Sequence, residues 1–198
     1  MRLHQYRSYR QYRRRQEKKN RRQIDRVWAT EREMTAVAEA VKARIPGARF
    51  GLCHGAKAGW EVRQLREQLE IEVLGTDISD TAAGHEHMIR WDFHETKPEW
   101  IGAVDFIYSN CLDHSYDPDL CIRRWLSCLR PGGLAFVEWS ALHGPEHSTE
   151  DDPFGATEEE YEALLSRHGV VLDRLHVPGE DGHRYPLDRR IFVVGRTL

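Results

Sequence analysis

No stretch of the sequence reaches the roughly eighteen consecutive apolar residues that a membrane-spanning helix needs. The N-terminus lacks the apolar h-region of a secretory signal, so the expectation is a cytoplasmic protein. Cysteine is sparse. Cys53, Cys111, Cys121 and Cys128 form no CxxC pair, and their spacing suits neither a zinc framework nor a disulfide ladder. Reduced thiols are the simple reading. HExxH is absent, and His85, His87, His94, His143 and His147 are scattered, so they read as surface side chains and no metal is expected. The GxGxxG spacing of nicotinamide-dependent enzymes is also missing.

What the 198 residues do contain is an uneven charge. Residues 1–26 carry eleven Lys/Arg against Glu17 and Asp25, a balance of +9; with a net charge of −3, the remainder carries −12. Residues 1–23 hold almost no large aliphatics, and Tyr6, Tyr9 and Tyr12 alternate with Arg7, Arg10 and Arg13. Two readings stand: an arm that pairs phosphates and stacks bases of a nucleic acid, or a solvated helix whose tyrosines dock on the body or on another subunit of a homo-oligomer. The division expected is a basic arm over 1–23 and one domain over 24–198.

From residue 24 the pattern becomes periodic. Ile24, Val27, Trp28, Met34, Val37, Ala38 and Val41 predict a helix over 24–44, ended by Pro46 and Gly47. Strands are expected at 48–53, 71–75, 88–91, 103–108 and 134–139, with helices over 57–69 and from Pro118, the latter capped by Asp117. Thr157 and Glu160 form a capping box for another helix, and 170–177 with 189–194 read as a closing antiparallel pair. Residues 143–156 read as a mobile loop. The order predicts an α/β fold, a three-layer sandwich of Rossmann-like type, with a mostly parallel sheet and an antiparallel C-terminal edge pair.

In such a sheet ligands bind at the C-terminal strand ends. Four segments lie there. Gly51–Gly59 follows the first strand, with small residues that admit a ligand close to backbone. Asp77, beside Ile78, ends the second, where a carboxylate can accept from ribose hydroxyls. Asp92 and Phe93 follow the third, and Phe93 can stack on a purine. The fourth runs from Asp105 through Ser109 and Asn110 to Asp117, and there Asp113 and His114 can orient or deprotonate an acceptor.

With these segments in order, residues 46–140 resemble the class I S-adenosylmethionine-dependent methyltransferases. Arg130-Pro131-Gly132-Gly133-Leu134 looks like the family's LRPGG turn, and Val104–Asn110 its fourth-strand motif. The first loop departs from acid-x-Gly-x-Gly-x-Gly: Gly51 stands in the acid's place, Cys53 at the first glycine, Gly55 at the second and Lys57 at the third. The resemblance implies S-adenosylmethionine held by Cys53, His54, Gly55, Lys57, Asp77, Ile78, Asp92, Phe93, Ser109 and Asn110, with methyl transfer to an unidentified acceptor near Asp113 and His114. The acceptor site would be built from residues 1–23, 111–116 and 141–156. The alternative is a non-catalytic binding module of the same fold, with a nucleic acid or protein on the basic arm.

Overall fold

The computed structural model describes residues 1–197. Strand β1 (Arg2–Leu3) precedes helices α1 (Tyr9–Arg22) and α2 (Glu31–Arg44). Then come β2 (Phe50–His54), α3 (Trp60–Leu69), β3 (Glu72–Asp77), β4 (Met88–Arg90), β5 (Val104–Ser109), α4 (Pro118–Cys128) and β6 (Leu129–Ser140). β7 (Phe154–Gly155), α5 (Glu158–Ser166), β8 (Gly169–Val177) and β9 (Arg189–Arg196) follow. Seven strands form one sheet in the order β4-β3-β2-β5-β6-β9-β8. The β4-to-β6 side is parallel, and β9 and β8 run antiparallel, as the sequence leads one to expect.

Alternation along the strands separates two cores. Leu52, Ile107 and Val137 face α4 and α5 on one side; Cys53, Phe106 and Phe136 face α2 and α3 on the other. The start of the sheet is clamped by Asp105, whose carboxylate accepts from the Arg49 and Phe50 amides and from Arg130. Gly133 is needed beside this clamp, because a Cβ there would lie 2.9 Å from the Val104 and Asp105 carbonyl oxygens.

The structure shortens the helix expected over 24–44. It starts at Glu31, because Thr30 and Glu33 form a capping box that fixes the N-terminus there. Trp28 then leaves the helical face and donates its indole N–H to Glu138 at 2.8 Å. Residues 143–156 are not featureless: they hold a short helical turn and β7, which pairs with β1. His94 and His143, expected at the surface, are buried instead. His94 is held at both ring nitrogens, by Asp92 at 2.7 Å and Ser115 at 2.8 Å.

All four cysteines are free and buried. Burial pushes the Cys128 thiol up to about 11 and raises the other three well above the ordinary thiol value. A thiol reagent at neutral pH is therefore expected to titrate none in the native protein and all four after denaturation. Rapid native labelling of any of them would contradict this packing.

Candidate functional site

Strand order reverses between β2 and β5, which opens a crevice beyond His54 and Ser109, neighbours in register. Gly55 turns the chain there with φ +73°, and a Cβ would meet Cys111 Sγ at 2.0 Å. Only glycine brings this loop so close to the segment after β5. Lys57 follows with φ 46°, and its amide donates to Asp77 Oδ2 at 3.2 Å. Asp77 Oδ1 accepts the Ser79 amide at 2.9 Å. Burial raises the Asp77 carboxyl, against the opposing pull of these two amides.

A cavity of about 290 Å³ occupies the crevice. Lys57, Glu61, Asn110, Asp113 and His114 lie on its walls. Lys57 donates to the Arg26 carbonyl at 3.3 Å, and Glu61 accepts from Asn110 at 3.4 Å. Burial lowers the Lys57 ammonium and raises the Glu61 carboxyl, so each charged form lacks full solvation. Among the described residues, neither is in an ion pair with the other.

Beside them His114 Nε2 lies 3.0 Å from Lys19 Nζ, 3.2 Å from Asp152 Oδ1 and 3.7 Å from Asp113 Oδ2. Lys19 is also ion-paired to Asp152. The same ring nitrogen therefore faces a donor ammonium and an accepting carboxylate at once. Burial pushes the Asp152 carboxyl up, but His114 and Lys19 outweigh it and hold the group well below the usual carboxylate range. Asp113, His114 and Asp152 offer ligand atoms within 4.8 Å of one another, a spacing a metal ion could use. The Lys19 ammonium supplies the positive charge in that cluster.

Lys19 comes from α1, which lies across the crevice. Tyr12 is only 2% exposed and packs edge-on against His94 and Tyr116. Tyr9 donates to Asp92 Oδ2 at 2.7 Å, and Tyr6 to the Glu150 carbonyl at 2.6 Å. Arg15 pairs with Asp151 and Arg21 with Asp80, while Glu17 of α1 pairs with Arg90. The three tyrosines thus dock on the body of the same chain. Beneath α1, between Tyr12, Gln16, Asp77, Ile78 and Phe93, the free space narrows to about 30 Å³. Exposed ion pairs are worth about 0–1 kcal/mol each and weaken with salt. Raising salt from about 0.03 M to about 0.5 M, which shortens the Debye length roughly fourfold, is expected to lower amide-exchange protection in α1 several-fold and leave β2 and β5 unchanged. Equal protection at both salt levels would mean that Tyr12, not charge, holds the helix.

Several residues expected at the site gather here: Gly55, Lys57, Asn110, Asp113 and His114 on the larger cavity, Asp77, Ile78 and Phe93 on the smaller. Asp92 lies at the rim, engaged by Tyr9 and His94. Cys53, His54 and Ser109 are not brought to either cavity. His54 turns into the core, stacks on Trp125 at 5.1 Å and hydrogen-bonds Thr76; burial lowers its imidazole to about 3, so it is neutral. Lys19, Glu61 and Asp152 escape sequence reasoning as individuals. For Lys19 and Asp152, the general expectation that 1–23 and 141–156 flank the site was the available signal.

The far wall is aromatic. Trp28 stacks on His143, with centroids 5.9 Å apart, and packs against Tyr185 at 4.7 Å. Behind it, Arg189 lies 4.8 Å from the indole centroid and is wholly buried between Glu33, at 2.9 Å, and Glu138, at 3.1 Å. Glu138 also accepts from Tyr108 at 2.9 Å.

No family model matches the chain, and no curated protein matches it in sequence. Solved structures do match in fold. The chain is similar to the 1,6-didemethyltoxoflavin-N1-methyltransferase of Burkholderia thailandensis, determined with 1,6-didemethyltoxoflavin and S-adenosylhomocysteine: TM-score 0.75, 17% identity, over 98% of this chain and 92% of that one. It is also similar to the N-methyltransferase NodS of Bradyrhizobium japonicum WM9 with S-adenosylhomocysteine: TM-score 0.70, 15% identity, over 93% and 100%. Similarity extends to geranyl diphosphate C-methyltransferase from Streptomyces coelicolor A3(2): TM-score 0.62, 12% identity, over 82% and 77%.

Proposed function

We propose that this chain, whose fold is that of the class I methyltransferases, transfers a methyl group from S-adenosylmethionine to a small-molecule acceptor. The observation that carries the reading is a pair of opposite, mutually unpaired charges on the cavity wall, the half-buried Lys57 and the buried Glu61. An isolated buried charge is costly unless something complements it. The α-carboxylate and α-ammonium of an amino acid are the complement of this pair. The donor set therefore fits the methionine end of the cofactor, and Asp77 retains lone pairs for two ribose hydroxyls. On the purine side the fit requires α1 to shift, because about 30 Å³ holds no base.

When bound, the cofactor supplies a methyl group activated on a sulfonium. The protein's part is mainly positioning, which can be worth about 7–11 kcal/mol of barrier. Lys57 would hold the carboxylate, Glu61 and Asn110 the ammonium, and Asp77 the ribose. Ile78 and Phe93 would pack on the purine. His114 takes the acceptor's proton at Nε2 once the acceptor displaces the Lys19 ammonium, and Asp152 stabilises the resulting imidazolium. Similarity to enzymes determined with S-adenosylhomocysteine supports the choice of cofactor.

A thermal-shift titration tests this. S-adenosylhomocysteine at about a hundred times its Kd adds about 2.7 kcal/mol, which raises Tm by roughly 5–11 °C for a chain of this size. No shift at millimolar ligand would remove the cofactor assignment.

A further inference from the structure

We infer that the methyl acceptor is a planar aromatic molecule of one or two fused rings, bearing an acidic N–H or O–H, that binds against the wall of Trp28, His143 and Tyr185. This rests on the methyl-transfer reading and narrows it to a substrate class.

The first argument is the wall itself. Trp28, in contact with both His143 and Tyr185, lines the same cavity as His114 with these two rings, so a ring bound there meets other rings in the cavity that also holds a base. Aromatic pairs at centroid separations of about 4.5–7 Å gain roughly 0.5–1.5 kcal/mol beyond the area they bury.

The second argument is how Trp28 is held. It sits in a loop, on residues that form no helix. Its indole N–H is pinned by Glu138, and its ring rests over Arg189. Burying that guanidinium between two carboxylates is costly, and hydrophobic residues would fill the same volume at no such penalty. What the charged cluster secures is one orientation of one cavity-wall indole. A fixed platform suits a rigid, flat ligand, whose binding sacrifices little conformational freedom.

The third argument is size. An apolar cavity of about 150 Å³ accommodates benzene. The cavity here is about 290 Å³ and is shared with the amino-acid end of the cofactor. The remainder suits one or two fused rings and is too small for a folded polymer segment.

The step balances. A lone pair on the acceptor's nitrogen or oxygen forms the bond to the methyl carbon. The carbon–sulfur bond breaks and its electron pair stays on sulfur, which becomes a neutral thioether. The acceptor's proton passes to His114 Nε2.

The test is calorimetry on the full chain saturated with S-adenosylhomocysteine. The probes are 2-naphthol and 4-hydroxyquinoline, with decahydro-2-naphthol as the saturated control of matched size. The aromatic probes are expected to bind at least tenfold more tightly than the saturated one. Trp28→Leu should abolish that preference while changing S-adenosylhomocysteine affinity less than twofold. Tyr185→Leu serves the same purpose if Trp28→Leu does not fold. Equal affinity for flat and saturated probes, no measurable binding of either aromatic probe, or an unchanged preference in a folded wall variant would each overturn the inference. If S-adenosylhomocysteine itself fails to bind, the methyl-transfer reading falls instead; the probes, titrated without it, still report on the wall.

Discussion

Arg189→Ala is expected to destabilise the fold by about 3–5 kcal/mol, the cost of leaving buried carboxylates without their cation. Arg189 is wholly buried, and Glu33 and Glu138 close on it from α2 and β6. At a few degrees per kcal/mol, Tm should fall by roughly 6–20 °C, as read by circular dichroism or calorimetry. Replacing all three charged groups together, with Glu33→Gln, Glu138→Gln and Arg189→Met, should recover most of the loss, because no uncompensated charge remains. A fall in Tm of less than 3 °C for the single variant would show that the cluster is not a closed charge system.

The same cluster sets a pH dependence. Burial, and then the nearby Glu33, raise the Glu138 carboxyl well above its ordinary value. The folded chain therefore holds this proton to higher pH than the unfolded chain does. This contribution to stability is complete below the unfolded pKa, near 4.5, and is lost as pH rises through the folded value. Tm should accordingly decline toward alkaline pH, and Glu138→Gln should flatten the decline.

The second large effect concerns the cofactor. Asp77→Asn is expected to weaken S-adenosylhomocysteine binding by tenfold or more, about 1.4 kcal/mol. The side chain keeps its shape and can still accept the Ser79 amide, so the β3 turn is preserved. What disappears is the second carboxylate oxygen, which holds the Lys57 amide in its left-handed turn and offers lone pairs toward the ribose. Loss of affinity with an unchanged Tm of the free protein separates a binding role from a structural one. Unchanged affinity would take Asp77 out of the site.

Much of the architecture is local chemistry, and it is legible for that reason. Asp117 and Pro118 start α4 and Thr157 with Glu160 starts α5, because caps act within one turn. The strands are legible because apolar residues supply both faces of a buried sheet. The first helix boundary misleads: Ile24, Val27 and Trp28 continue the apolar period of α2, yet the Thr30–Glu33 capping box, also present in the sequence, outweighs that period.

The site is less legible because it is assembled from far apart. Lys19 meets His114 across 95 positions and Asp152 across 133, and only the docking of α1 joins them. His54 shows a limit of another kind. It sits in the expected loop region, but strand alternation at the end of β2 sends its side chain to Trp125. Glu138 carried a signal that periodicity passes over: a lone acid in the apolar run Leu134–Trp139 needs a buried partner, and Arg189 is that partner. The basic N-terminus reads differently once folded, since Arg15, Lys19 and Arg21 are matched to acids of the body.

The most direct measurement is a calorimetric titration of the full chain with S-adenosylhomocysteine. Saturable binding at one site per chain, weakened at least tenfold by Asp77→Asn, is the predicted result. No saturable heat up to millimolar ligand, in protein that is folded by circular dichroism, would contradict the methyltransferase reading and leave the fold with a different occupant.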